Sequence, residues 1–353
     1  MHSRHIAPVC FLVSCSPVKS VVNSSPSLHV NSLVRSDQEF LLKGLVEKPT
    51  ANGFRNLVVF GDSLSDPGNL HRKTLGFFLP TNIFYGARFS NGPIWTDYVA
   101  ASLNWKVINY AVGGAKTTGY RLLDRFVSTP LDRQIEEHLR ELKGLPKEST
   151  VVVIWVGSNN YTFETAKFQD AQKKLEKEKL RKHAEDSILD IRNSISTMKG
   201  LGFKNFLLGS IPELGVLIDN PKDPRLATPE TLFAATAAHN HALENLLADF
   251  QKQSDIVVGK FSSGEINQQT IENPQKWGFR RLDVPCYVGS LRGEFYGPKE
   301  FCADPAGHKF WEFTHPNSKM HCYYASQFLS DLARINIIPT FPFETSTALC
   351  KSL

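Results

Sequence analysis

The sequence predicts a three-layer α/β/α domain around a central, mostly parallel five-stranded sheet. Two observations carry this. Several short apolar stretches lack polar alternation, as strands covered on both faces do, and stretches of helical spacing stand between them. Chain size agrees: 353 residues with 41% hydrophobic content can bury one large core and show none of the compositional bias of disorder. No repeat is evident.

The first strand is 57–60, Leu-Val-Val-Phe, running directly into Gly61-Asp62-Ser63. A Gly, Pro and Phe-rich loop follows through Tyr85. Segment 88–99 is a turn and then a short helix with Pro93 in its first turn. Residues 106–115 read as a second strand ending in the small-residue loop Gly113-Gly114-Ala115, where glycine lets a backbone N–H approach a ligand. Residues 129–142 are expected to be helical. The third strand, 150–156, is β-branched and ends in Gly157-Ser158-Asn159-Asn160. A long helix is expected over 167–199, its first part (173–182) holding six basic and two acidic residues, the pattern of a solvated face. Strand four is 203–209, a helix covers 229–253, and 256–261 supplies strand five.

Ahead of this domain, placed at 53–353, two segments differ in composition. Arg4, the apolar run 6–13 and Ser14-Cys15-Ser16 resemble a compact export signal, although Pro8 and Cys10 interrupt the run, and Leu12-Val13-Ser14-Cys15 has the look of a lipoprotein cleavage box. Residues 1–16 are therefore read as a leader and the Ser-rich 17–52 as a linker or loosely attached arm. The expected location is secreted or cell-envelope. No apolar run reaches the length of a membrane-spanning helix. A net charge of +5 is too mild to argue for nucleic acid. Four cysteines lie beyond the leader. Cys286 and Cys302 bracket a loop rich in glycine and aromatics that a disulfide would close in an oxidising compartment, and Cys322 with Cys350 is left open.

Candidate chemistry centres on Ser63. A serine at the carboxyl end of a first parallel strand stands at the sheet rim, where open α/β folds place ligands. The same tripeptide also serves as a plain strand-to-helix turn, and the Gly-x-Ser-x-Gly elbow is absent because Leu64 and Ser65 follow. A nucleophilic serine needs a base, a carboxylate to orient that base, and donors for an oxyanion. Glu312-Phe313-Thr314-His315 places a carboxylate and an imidazole three residues apart on one loop, which lets Glu312 hold one ring nitrogen while the other faces Ser63. His239 and His241 lack a third ligand at metal-binding spacing, and nothing in the sequence points to a metal or an organic cofactor.

Four blocks in order, Gly61-Asp62-Ser63-Leu64, Asn109 to Ala115, Gly157-Ser158-Asn159-Asn160 and Glu312 to Pro316, together resemble the GDSL, or SGNH, hydrolases. The resemblance covers most of 55–330 and implies the flavodoxin-like SGNH hydrolase fold. It also implies Ser63 as nucleophile, His315 as base, and an oxyanion hole of the Ser63 N–H, the Gly114 N–H and Asn159. Arg88 to Pro93 and Phe310-Trp311-Glu312 are similar to the bacterial phospholipase A and glycerophospholipid:cholesterol acyltransferase branch.

Two positions depart from the family pattern. Glu312 replaces the usual Asp, with Asp304 the weaker alternative as third member, and Asn160 stands where many members have Asp. The resemblance implies a serine esterase or lipase acting on phospholipid or lysophospholipid through an acyl-enzyme, with transfer to cholesterol as a further outcome. The expected partners are a lipid or ester substrate and a transient membrane-surface contact. Two alternatives remain: an esterase of acetylated sugars or small soluble esters, and a non-catalytic binding or adhesion protein that keeps the fold.

Overall fold

The computed structural model describes residues 41–49, 51–119, 127–162, 168–169, 175–216, 228–292 and 300–353. The leader at 1–16, most of the arm, and residues 167 and 170–174 at the start of the expected long helix lie outside the described residues.

Five strands form the central sheet: β1 (Asn56–Gly61), β2 (Lys106–Asn109), β3 (Thr150–Trp155), β4 (Asn205–Gly209) and β5 (Val257–Phe261). Their spatial order is β2-β1-β3-β4-β5 and every pairing is parallel. This is the flavodoxin-like order, which places a topological switch point between β1 and β3.

Helices cover both faces, which is why the strands read as continuous apolar runs. Alternate residues of β1 divide between two cores: Leu57 and Val59 enter one, Val58 and Phe60 the other. The first core is closed by α1 (Trp95–Leu103), by α5 (Ser263–Glu272), which follows β5, and by the C-terminal pair α6 (Ser318–Arg334) and α7 (Phe343–Lys351). On the opposite face lie α2 (Leu131–Glu137), α3 (Lys177–Gly200) and α4 (Pro229–Phe250), whose Ile135, Ile191 and Leu243 are buried against Val152 and Phe206.

Three expectations change. The long helix begins at Lys177 rather than 167, because Leu175 pairs with Gln169 in a β-bridge and the Glu176 N–H bonds the Phe168 carbonyl at 2.8 Å. Leu175 and Phe168 thereby join a separate apolar cluster with Tyr161 and Ile211. The helix expected over 129–142 is divided at His138 into α2 and a shorter helix, Leu139–Gly144. His138 there leaves helical geometry, its Nδ1 bonding the Gln134 carbonyl at 2.8 Å and its ring lying 4.1 Å from that of Tyr110. Finally, residues 41–49 of the expected loose arm are packed onto the domain: Leu42 and Val46 are buried in the first core.

Two disulfides are present among the described residues. Cys286–Cys302 joins β6 (Tyr287–Val288) to β7 (Glu300–Phe301), and Cys322–Cys350 ties α6 to α7.

Candidate active site

Ser63, Gly114 and Asn159 follow β1, β2 and β3, so the three strand ends nearest the switch point each contribute one residue. Ser63 lies in the turn just after Gly61. Glycine is required at 61 because a Cβ there would stand 2.7 Å from the Trp155 carbonyl on the neighbouring strand. The Gln134 side chain brackets Gly61 from α2, accepting from its N–H at 3.0 Å and donating to its carbonyl at 2.8 Å. One carboxylate fixes the serine loop to the glycine loop. Asp66, fully buried, accepts from the N–H groups of Gly68, Asn69, Leu70 and Gly113. Asn69 adds bonds to the carbonyls of Asn109 and Ala111 at 3.1 and 2.7 Å.

Gly114 has φ +80°, the left-handed region open to glycine, and among the described residues no acceptor takes its N–H or that of Ser63. Asn159 donates one amide proton to the Ala115 carbonyl at 3.0 Å, leaving the second without an acceptor among the described residues. Three donors thus stand unused at the rim beside the Ser63 hydroxyl. Asn160 turns away from them, donating to Thr117 and Ser187 at 2.8 Å each.

The imidazole arrives from the other end of the chain. Residues 309–317 form a hairpin in which Phe310 bridges Pro316, the Trp311 N–H bonds the His315 carbonyl at 2.8 Å, and the Asn317 N–H bonds the Lys309 carbonyl at 2.9 Å. His315 Nε2 lies 2.6 Å from Ser63 Oγ, and its Nδ1 is bonded to Glu312 Oε1. Thr314 Oγ1 donates to the same carboxylate oxygen at 3.0 Å, and the Thr314 N–H reaches the other at 3.3 Å. The longer glutamate therefore fits within one turn of chain. Asp304 is elsewhere: it pairs with Arg280 and accepts from the Gly307 N–H. With Nδ1–H given to Glu312, the Nε2 lone pair faces the serine hydroxyl, the arrangement in which imidazole can take its proton.

Neighbours set the position of His315. Asn317 caps α6 by accepting from the Met320 N–H at 2.9 Å and donates to the carbonyls of Pro305 and His308. The block 88–93 closes the other side: the Phe89 ring lies 4.5 Å from the imidazole, Asn91 accepts from the Ser318 N–H, and Ser318 Oγ donates to the Pro93 carbonyl. Behind the hairpin, Cys286 and Tyr287 bond the carbonyls of Phe310 and Trp311. Burial pushes the Asp62 carboxyl up to about 7, against the pull of the Leu64 N–H and the His315 charge.

A cavity of about 260 Å³ opens beside these groups. Ser63, Gly114, Asn159 and His315 line it together with mainly apolar walls that include Leu64, Leu70, Phe78, Val127 and Leu214. His239 packs against the block carrying Asn159, its ring occupying the space a Cβ on Gly157 would need, with Nδ1 on the Tyr161 hydroxyl at 3.0 Å. Sequence reading passed over Asp66, Asn69 and Gln134. Asp66-Pro67-Gly68-Asn69 carries a turn signature that marks Asp66 as a local cap, whereas nothing local distinguishes Gln134.

Residues 57–328 match the GDSL-like lipase/acylhydrolase family. The chain belongs to that family. It is 30% identical over 246 residues to a phosphatidylcholine-sterol acyltransferase of Aeromonas hydrophila, covering 67% of each chain. It is 24% identical to a thermolabile hemolysin of Vibrio parahaemolyticus, over 77% of this chain and 62% of that protein. The secreted effector protein SseJ of Salmonella typhimurium is 27% identical over 56% of this chain and 44% of its own length. The chain thus spans less than two thirds of the latter two relatives.

Proposed function

We propose that this protein is an exported serine esterase acting on acyl esters of lipids, phospholipid or lysophospholipid foremost, through an acyl-enzyme. The observation that carries the reading is the Ser63–His315–Glu312 relay opening into a mainly apolar cavity. Ser63 Oγ attacks the acyl carbonyl as its proton passes to His315 Nε2, while Glu312 holds Nδ1–H and steadies the imidazolium. The N–H groups of Ser63 and Gly114 and the Asn159 amide receive the negative charge that develops on the carbonyl oxygen. His315 then returns the proton to the departing alcohol, and water or an acceptor alcohol, activated in the same way, resolves the ester on Ser63. Likeness to a sterol acyltransferase supports acyl transfer as the second fate.

Contact with a lipid surface fits the segment beside the cavity. Residues 67–96 hold no acidic residue; of their three cations Arg88 is paired with Asp97 and Lys73 lies 3.8 Å from Glu137, while Arg72 is exposed. Leu75, in a left-handed turn at φ +51°, is 96% exposed and Phe77 47%, while Leu70 and Phe78 of the same segment line the cavity. The two disulfides support an oxidising compartment.

The test is release of fatty acid from phospholipid and lysophospholipid vesicles, with and without cholesterol, by the protein and by Ser63→Ala. Free acid lost in Ser63→Ala is expected, with sterol ester beside it where transfer occurs. Turnover confined to monomeric soluble esters would replace this reading with a soluble-ester esterase, and no Ser63-dependent product would leave a binding protein.

A further inference from the structure

One wall of the cavity has a chemistry that an acyl chain does not want. Glu213, in the loop after β4, lines it together with Asn267 of α5 and Tyr324 of α6. The Asn267 side chain joins the other two: its Oδ1 accepts from the Glu213 N–H at 3.3 Å and its Nδ2 donates to the Tyr324 hydroxyl at 2.9 Å. Since that hydroxyl accepts from Asn267, its own proton is still to be placed, and no acceptor among the described residues takes it although Tyr324 is 1% exposed. Glu213 Oε1 accepts from the Gly215 N–H at 3.0 Å.

Behind this wall sits Lys309, 1% exposed. Its Nζ makes a single hydrogen bond, to the Asn267 carbonyl at a long 3.4 Å, with no carboxylate within ion-pairing distance among the described residues. Burying an ammonium with so little satisfaction is costly. The nearby Glu213 charge offsets that cost, opposing the fall to about 7 that burial imposes on Lys309. Lys309 lies on the hairpin that carries His315, next to Phe310, and both Phe310 and Pro316 line the cavity. The polar wall is therefore on the His315 side.

We infer that Glu213, Asn267 and Tyr324 form a hydroxyl-binding recess for the alcohol half of the ester, favouring a leaving group or acyl acceptor that keeps a second hydroxyl, and so lysophospholipid over diacyl phospholipid and glycerol over a sterol. This inference rests on the esterase reading. A hydroxyl can donate to the half-buried Glu213 carboxylate, which keeps acceptor capacity beyond the Gly215 N–H, and accept the spare proton of buried Tyr324, whereas an acyl chain would leave that Tyr324 proton without a partner. His315 Nε2 must deliver its proton to the departing oxygen, which places the alcohol half on this side of Ser63. Because the second displacement runs the first in reverse, an acceptor occupies the same place. Its attacking O–H gives its proton to His315, a C–O bond forms to the acyl carbon, the Ser63 Oγ–carbon bond breaks, and Oγ takes the proton back. An alcohol with a single hydroxyl spends it on that attack and has none left for the recess. A polyol keeps one.

Two measurements test this. In the first, p-nitrophenyl butyrate is turned over with glycerol and 1-propanol competing for the same acyl-enzyme, and the ratio of monobutyrin to propyl butyrate is read. This ratio does not depend on how fast the acyl-enzyme forms. Glu213→Gln is expected to lower it by about tenfold, and Tyr324→Phe to act in the same direction. An unchanged ratio in folded Glu213→Gln would overturn the recess. In the second, monobutyrin and methyl butyrate are titrated calorimetrically into Ser63→Ala, without turnover. The preference for monobutyrin is expected to shrink by about tenfold when Glu213→Gln is added, and equal binding of the two esters by Ser63→Ala sinks the inference. Absence of Ser63-dependent turnover in the first arm would instead count against the esterase reading, leaving the calorimetric preference to decide the recess.

Discussion

The two halves of the site are built by different means. Ser63, Gly114 and Asn159 stand on the ends of three adjacent parallel strands, anchored to the most buried part of the molecule. Glu312 and His315 stand on a hairpin held by backbone bonds to the Cys286 segment, by Asn317 and by the Phe89 ring, with His315 lying 252 positions from Ser63 in sequence. The strand-end half depends on the sheet as a whole. The hairpin half depends on a few local ties, so it is where substitutions should separate activity from folding.

The sharpest probe of this contrast is Glu312→Gln. Losing the acceptor that fixes the His315 tautomer is expected to lower kcat by about 10⁴-fold, with an unfolding midpoint close to that of the parent protein. A loss under tenfold would remove Glu312 from the relay. Asn159→Ala addresses the sheet-borne half and is expected to cost on the order of 100-fold in kcat with little change in KM. Near-normal turnover there would dissolve the assigned oxyanion site.

The disulfides sharpen the comparison further because one touches the hairpin and the other does not. Replacing Cys286 and Cys302 by serine opens a loop of 16 residues' separation and is expected to cost about 3 kcal/mol of stability in the chain-entropy model. kcat should fall with it, since the bridged segment supports Phe310 and Trp311. Replacing Cys322 and Cys350, separated by 28 residues, should cost about 3.6 kcal/mol while kcat stays within about twofold. Equal effects of the two on kcat would mean that the hairpin does not need its bridge.

Acid sensitivity probes the same contrast from the side of folding. His321 of α6 is fully buried with neither ring nitrogen bonded among the described residues, and burial, aided by the His315 charge, holds it down at about 3. His239 is depressed to about 3 for the same chief reason, with His183 as the nearby charge. A histidine whose folded value lies below its unfolded one takes up its proton first in the unfolded chain. Stability is therefore lost as pH falls from about 6.5 toward 3, each histidine contributing about 1.4 kcal/mol per unit in that window. His321→Leu should flatten the fall in melting temperature between pH 6.5 and 4.5, and an unaltered slope would exclude His321 as its source.

Much of this architecture was legible because parallel strands covered on both faces announce themselves as apolar runs, and because three of the four blocks sit where those runs end. Glu312 with His315 was legible for a local reason: both lie within four residues. The parts that escaped depend on distant partners. Gln134 bonds Gly61 from 73 positions away. Lys309 reads as an ordinary surface lysine until Asn267 and Glu213 surround it. His138, where a helix divides, packs its ring against the distant Tyr110, and Leu42 looks like part of a tail until the core receives it.

The distance along the chain between Ser63 and His315 also orders events in time. A growing polypeptide contains Ser63, Gly114 and Asn159 long before the hairpin exists, and until residue 315 has been made and docked it lacks the base proposed for it. On that reading, competence waits on the docking of the hairpin. For a catalyst proposed to attack lipids, that schedule keeps unfinished copies harmless to the cell that makes them.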